Sequence, residues 1–308
     1  MTYAIETKEL SFAFAYGRKV VNELSLRVPE GSIYGFLGPN GAGKTTTIRL
    51  LTGMLRSDRD NIFLQGQSLQ RGMPGIFQSL GALIETPSLY GHLTGKENLK
   101  VITTLRGLHS RHIDKYLSIV GLTDAAHKKA KDYSLGMKQR LGIAMALLPD
   151  PTLLILDEPA NGLDPNGIIE IRELLRSLNR EHGKTVFVSS HLLAEIEKTC
   201  THIGIINRGV LRYDGTLEEM KRSAHASGEV IFTVPGATGW MPQVQALFTT
   251  ARQQSAEEII FPFADAAQVT HINQQLVQHG VPVTGIQVHG GLEEWFMHIV
   301  NQDRKAIA

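Results

Sequence analysis

The spacing of apolar positions changes several times along this chain, and the changes divide it. Between residues 3 and 37 apolar and polar positions alternate, with Leu24, Leu26 and Val28 on one side of an extended chain. Ser32–Leu37 follows as a short apolar run leading into glycine. Both patterns predict strands. Lys44–Leu55 reads as a helix, and residues 92–148 are mostly helical in pattern, broken at Gly107 and Gly121. Leu153–Leu156 is continuously apolar, as a strand buried on both faces of a parallel sheet must be. Pro165–Arg180 predicts an amphipathic helix, Thr185–Ser189 a buried strand and Leu192–Thr199 another helix. Strand–helix alternation around an inserted helical stretch predicts an α/β core with a helical subdomain at about 86–148.

The pattern shifts again near Ser223-Ala224-His225-Ala226-Ser227-Gly228, which reads as a linker between domains at 1–222 and 223–308. Beyond it, Val230–Val234, Glu258–Phe263 and Val283–Val288 predict strands, and Val244–Ala251, Ala266–His279 and Leu292–Asn301 predict helices. The result is a small C-terminal α/β accessory domain that serves dimerisation or regulation. In its last helix Leu292, Trp295, Phe296, Ile299 and Val300 share a face, as core or dimer contact.

Composition narrows the function. The 308 residues suffice for a full α/β core and a second, smaller unit. With 31 Lys and Arg against 30 Asp and Glu, the net charge of +1 leaves no electrostatic footprint for nucleic acid. The single Cys200 excludes an internal disulfide and points to a reducing compartment. The N-terminus lacks a signal-peptide pattern, and no apolar run approaches the ~20 residues that span a bilayer. The expectation is a soluble chain whose membrane role, if it has one, runs through another polypeptide.

The chemistry begins at Gly38-Pro39-Asn40-Gly41-Ala42-Gly43-Lys44-Thr45, which fits GxxxxGK[ST] between a predicted strand and helix. Its glycines let backbone N–H groups turn inward around a phosphate, and the helix N-terminus adds its dipole. Lys44 reaches the β- and γ-phosphates, and Thr45 offers a hydroxyl to Mg²⁺. Leu153–Leu156 ends in Asp157, a carboxylate for the metal, and Glu158, which can polarise an attacking water. Between these lies Ser134-Leu135-Gly136-Met137, a Ser-x-Gly turn feeding a helix. That turn is a second anion site, and one chain cannot easily fold it onto its own phosphate loop. It predicts a partner.

Together these motifs resemble the ATP-binding subunit of an ABC transporter. Gly38–Thr45 matches the Walker A motif and Leu153–Glu158 the Walker B motif, while Ser134–Met137 takes the place of the Ser-Gly-Gly-Gln signature. Asn161-Gly162-Leu163-Asp164-Pro165 resembles the D-loop, and His191 the switch histidine. The resemblance covers roughly residues 1–222 and implies a P-loop NTPase core of ABC ATPase type with antiparallel β and helical subdomains. It implies ATP and Mg²⁺, with ATP held by Gly38, Asn40, Gly41, Gly43, Lys44, Thr45 and Thr46. A second subunit, head to tail, would present Ser134 and Gly136 across the γ-phosphate, and Asp164 would carry contacts between subunits. Lys44, Glu158 and His191 are the implied catalytic residues. Tyr16 is the best match for the aromatic that stacks on adenine, with Phe14 the alternative.

Two departures are informative. Leu135 and Met137 replace the usual glycine and glutamine, while the phosphate-facing Ser134 and Gly136 remain. Glu85, in Ile84-Glu85-Thr86-Pro87, stands where the family has its Q-loop glutamine, and joins Thr45 and Asp157 as an implied metal ligand; Gln78 lies too early. This variant is similar to the branch that includes bacitracin-resistance and lantibiotic-immunity transporters. The implied partners are integral-membrane permease subunits docked on the helical stretch after Glu85, which would hold the chain at the cytoplasmic face of the membrane. The basic run Lys128-Lys129-Ala130-Lys131 reads as a solvated helical face. The competing class is a non-transport ABC-type ATPase in repair or translation. It lacks support because no sustained heptads separate Lys44 from Ser134 and only one cassette is present. A small-molecule kinase would leave Ser134, Gly136 and His191 without a role.

Overall fold

The computed structural model describes residues 2–14, 17, 19–225, 228–263, 266–289 and 292–301. They form two compact units, Met1–Gly215 and Thr216–Ala308.

The first unit opens with β1 (Tyr3–Thr7), β2 (Leu10–Ala13), β3 (Lys19–Leu24) and β4 (Arg27–Pro29), followed by β5 (Ile33–Leu37) and α1 (Lys44–Leu51). Next come β6 (Ile62–Leu64), β7 (Gln67–Ser68), α2 (Leu69–Gly72) and β8 (Leu80–Leu83). The helical stretch is α3 (Gly95–Leu105), α4 (Ile113–Ile119) and α5 (Leu135–Leu147). The chain returns through β9 (Leu153–Leu156), α6 (Pro165–Arg180), β10 (Thr185–Ser190), α7 (Leu193–Thr199), β11 (His202–Asn207) and β12 (Val210–Thr216).

A six-stranded sheet ordered β12-β11-β5-β10-β9-β8 is the centre of this unit. The β11–β5, β5–β10, β10–β9 and β9–β8 pairs are parallel, so these five strands end at one edge. Every residue of β5 and β9 is buried, which is why both read as unbroken apolar runs. The smaller sheet, β4-β1-β6-β7, and the β2–β3 hairpin are antiparallel. They share one core with the central sheet, including Ile5, Leu24, Phe36, Ile48, Phe187 and Ile206. Within it Tyr34 stacks on Phe187, centroids 5.6 Å apart, and donates a 2.6 Å hydrogen bond to Asp214. Burial pushes the Tyr34 phenol and the Asp214 carboxyl above their ordinary ranges.

The helical stretch is fixed by local chemistry. Thr94 and Glu97 form a reciprocal capping box at the start of α3. Buried Asn98 bonds the Tyr90 amide and carbonyl, tying the incoming loop to that helix. Tyr133 donates to the Ala125 carbonyl at 2.6 Å and so anchors the turn before α5.

Several boundaries differ from expectation. Helix α1 stops at Leu51 rather than Leu55, because Thr52 caps it and Gly53 follows at φ 71°. Lys128, Lys129 and Lys131 are exposed as expected, but on a turn and a short 3-10 segment, not a helical face. The backbone there bonds outward, Ala130 N–H to the Leu93 carbonyl and Gly95 N–H to the Lys128 carbonyl.

The second unit begins before the expected linker. Its α8 (Leu217–His225) runs through Ser223, Ala224 and His225. Thr216 caps it, accepting from the Glu219 amide while its own amide donates to the Glu219 carboxylate. Then follow β13 (Gly228–Thr233), α9 (Ala237–Leu247), β14 (Arg252–Ser255), β15 (Glu258–Phe263), α10 (Ala266–Gln278), β16 (Gly285–His289) and α11 (Leu292–Asn301). The antiparallel sheet order β14-β15-β13-β16, with α9 and α10 as crossovers, is the split βαβ, ferredoxin-like arrangement. Val230, Phe232, Val244, Ile259, Phe261 and Leu276 fill its core. Helix α9 starts at Ala237 and includes Pro242, whereas the apolar pattern predicted 244–251; Phe248 caps it in extended conformation. On α11 the five-residue stripe is half-buried and Glu293, Glu294, Met297 and His298 are exposed.

Candidate functional site

The parallel edge of the central sheet brings the expected residues together. The loop after β5 leads into α1, β9 is followed directly by Asp157 and Glu158, and β10 ends one residue before His191. Register aligns Leu37 with Ser190 and Val188 with Leu156. The three strand ends are therefore adjacent, the place where α/β sheets bind ligands.

The phosphate loop is held in shape by its backbone. Gly43 sits at φ 109°, and a Cβ there would lie 2.7 Å from the Val20 carbonyl oxygen. Gly38 has a different constraint: its Cβ would meet the Ile206 carbonyl oxygen at 2.3 Å. The Ala42 amide donates to the Pro39 carbonyl, and Gly41 takes φ 78°. Thr45 and Thr46 are half-buried at the first turn of α1, while Thr47 turns back to the Gly43 carbonyl at 2.9 Å.

Lys44 is 5% exposed and its ammonium is the hub of the site. It donates to the Gly38 carbonyl at 2.7 Å and the Pro39 carbonyl at 3.3 Å, and lies 3.1 Å from Glu158 Oε1. The other carboxylate oxygen of Glu158 is 2.6 Å from His191 Nδ1. Glu158 takes the left-handed conformation, φ 48°, and its amide donates to Ser189 Oγ at 2.9 Å. Ser189 in turn donates to Asp157 Oδ1 at 2.6 Å. One hydroxyl thus fixes both acids, Asp157 by its side chain and Glu158 by its backbone. Sequence reasoning missed Ser189, and the apolar run that surrounds it gave no signal.

A polyphosphate fits this loop on two grounds: two glycines that a side chain would block, and a buried ammonium whose partners are carbonyls and one carboxylate. Mg²⁺ takes one or two carboxylates plus substrate oxygens. Asp157, oriented by Ser189, and Thr45 at the start of α1 offer a carboxylate and a hydroxyl of that kind.

Ser134 and Gly136 open a different helix. Ser134 caps α5, accepting from the Met137 amide at 3.2 Å, and is exposed. Beside it runs the loop into α6: Leu163 Cδ2 lies 3.9 Å from a Cβ built on Gly136, and Leu135 Cδ2 3.4 Å from one built on Gly162. Exposed Asp164 caps α6 through the Gly167 amide. Among the described residues no hydrogen bond or ion pair joins Ser134 or Gly136 to the phosphate loop. Exposed Glu85 follows β8 and is ion-paired to Arg49 of α1, a partner the sequence did not suggest. Asn40 is exposed at the tip of the phosphate loop. Tyr16 lies outside the described residues; Phe14 is 50% exposed, edge-on to Phe12. Among the described residues no His, Cys, Asp and Glu cluster could hold a metal by itself, and none of the C-terminal histidines forms one.

Known proteins are similar to this chain. The ABC transporter family model matches residues 21–161. The bacitracin transport ATP-binding protein BcrA of Bacillus licheniformis is 38% identical over 303 residues, 97% of this chain and 98% of its own. YhcH of Bacillus subtilis, an uncharacterized ABC transporter ATP-binding protein, is 48% identical over 196 residues, which span 63% of this chain and 64% of that protein. Among solved structures, CbiO1 of Clostridium perfringens, part of the ABC transporter complex cbiONQ, matches with TM-score 0.66 at 25% identity. That match covers 71% of this chain and 90% of CbiO1. With a full-length relative of this identity and the phosphate loop, acidic pair and histidine assembled at one sheet edge, the chain belongs to the ATP-binding subunits of ABC transporters, a family of ATPases.

Proposed function

We propose that the chain hydrolyses Mg·ATP in a site shared with a second copy or close relative, and that this drives a membrane permease removing a peptide antibiotic of the bacitracin or lantibiotic type. The observation that carries the catalytic part is Glu158 bridging Lys44 and His191. The terminal phosphates take the Lys44 ammonium, because their several negative oxygens outweigh the two carbonyls and one carboxylate that hold it here. Glu158 then keeps its contact with His191 and accepts a proton from water as that water's oxygen attacks the γ-phosphorus. The bond from γ-phosphorus to the β–γ bridging oxygen breaks, leaving ADP and phosphate. Bound Mg²⁺, held by Thr45 and Asp157, would neutralise charge on the phosphate oxygens.

Ser134 and Gly136 supply the second half of each site. Their helix starts at exposed Ser134 and, among the described residues, no hydrogen bond or ion pair joins it to the phosphate loop of the same chain, which suits an anion delivered by a partner. Head-to-tail pairing of two copies would put the exposed Asp164 loop at the contact. The permease would dock between β8 and the helical stretch, where Leu83, Pro87, Ile102 and Met145 line a groove. The limits read from the sequence, 1–222 and 223–308, cut through α8, so we take the division between the compact units, at Gly215 and Thr216, as the functional one.

The antibiotic substrate is supported by the full-length likeness to BcrA and by the Glu85 variant. The chain co-purified with the permease encoded beside it should show ATPase activity that bacitracin or a lantibiotic raises several-fold. Hydrolysis that no peptide antibiotic changes, with the permease present, would refute the substrate assignment and leave the ATPase standing.

A further inference from the structure

A glutamate at position 85 places a full negative charge beside two other acids. Strand β8 runs parallel to β9 with Leu83 opposite Leu156, and the Asp157 amide donates to the Leu83 carbonyl at 2.8 Å. Glu85 therefore leaves the sheet next to Asp157 and Glu158. Its backbone is left-handed, φ 61°, an uncommon state for a residue with a Cβ, and this turns the chain at the end of the strand. From there its carboxylate meets Arg49 Nη2.

Arg49 stands four residues after Thr45 on α1, so the two share a face one turn apart. Side chains on a helix lean toward its N-terminus, so Arg49 extends back toward the turn that carries Thr45. Glu85 is thus placed between two cationic choices: a guanidinium that never loses its charge, and the metal expected among Thr45, Asp157 and the phosphates. The side chains of Arg49 and Glu85 are 37% and 58% exposed, and exposed pairs of this kind are weak enough to be displaced.

We propose that Arg49 is a positioning residue for Glu85, holding its carboxylate on α1 and competing with the divalent cation for it. Metal binding draws Glu85 from Arg49 toward Thr45 and Asp157, so the loop between β8 and α3 changes its attachment when the nucleotide site fills. A neutral glutamine at this position would bring no charge for the arginine to balance. Arg49 is the counter-charge that makes the acidic variant workable, and this inference rests on the nucleotide-site reading above.

The test is a double-substitution cycle on cation affinity. Mn²⁺ is titrated by electron paramagnetic resonance against protein saturated with a non-hydrolysable ATP analogue, in wild type, Arg49→Ala, Glu85→Gln and the double variant. Binding of a fluorescent ATP analogue without metal is followed in parallel. Removing Arg49 should tighten Mn²⁺ binding about threefold when Glu85 is present and leave it unchanged in the Glu85→Gln background. Equal changes in both backgrounds would show Arg49 acting only as a distant charge and would overturn the proposal. So would no change in either. If the wild-type protein binds neither nucleotide nor Mn²⁺, the site reading itself fails, and the metal-free nucleotide titration separates that result from the others.

Discussion

Glu158 Oε2 lies 2.6 Å from His191 Nδ1, across the gap between the ends of two parallel strands. The contact joins an acid in left-handed conformation to the residue that follows β10, so the geometry of one strand end fixes the other. In the proposed mechanism His191 orients Glu158 beside the γ-phosphate. Replacing it with alanine should lower the ATPase kcat about 100-fold, within the usual range for a group that assists proton transfer. Nucleotide affinity should change by less than about threefold, because Lys44 and the loop amides remain. Steady-state hydrolysis and equilibrium binding of a fluorescent ATP analogue measure the two together.

The shape of the phosphate loop can be tested separately from its charge. Gly43→Ala forces a methyl group to 2.7 Å from the Val20 carbonyl at φ 109°, where any Cβ is strained. Strained positions of this sort cost about 1–3 kcal/mol. The variant should unfold at lower urea concentration and bind ATP at least tenfold more weakly. Gly41→Ala meets no atom within 4 Å and should bear only the strain of its φ of 78°.

The core strand ends were legible because each motif sits beside a buried run. Leu153–Leu156 and Thr185–Ser189 could only be strands of a parallel sheet covered on both faces, and each ends in chemistry. Strand β14 was not legible: Arg252-Gln253-Gln254-Ser255 is exposed at every position and is held by backbone pairing to β15 and by polar side-chain bonds such as Gln253 to Thr238, which leave no apolar pattern. Strand β8 was hidden for another reason, being four residues long with glycine at its second position. Within the site, sequence order supplied Lys44, Asp157, Glu158 and His191. It gave no indication of Ser189 or Arg49, because neither lies in a motif and both act through contacts between distant segments.

Away from the site, Lys184 and Asp150 join the start of β10 to the turn after α5, 2.5 Å apart. The hydrogen bond from Lys184 holds the Asp150 carboxyl below the usual carboxylate range. A carboxylate with a lowered folded-state pKa stabilises the fold above the unfolded value, ~3.9, and loses that contribution as pH falls through the lowered value. Lys184→Met should therefore cost about 0.5–1 kcal/mol at pH 7, a value kept low because the Asp150 partner of this nearly buried lysine is open to solvent. The difference from wild type should shrink as pH drops below about 4. Urea midpoints of the two proteins at a series of pH values give both the size and the sign.

Ser134 and Lys44 carry the central claim, that each nucleotide site is completed by another chain. Among the described residues no hydrogen bond or ion pair joins the exposed cap of α5 to the phosphate loop. Glu158→Gln removes the proton acceptor while leaving an oxygen for Lys44 and His191, so ATP should stay bound and hold two copies together. Sedimentation of this variant with Mg²⁺ and ATP should show a mass twice that seen without nucleotide, and Ser134→Arg in the same background should abolish the doubling. A Glu158→Gln protein that binds ATP and remains a monomer would contradict the shared site.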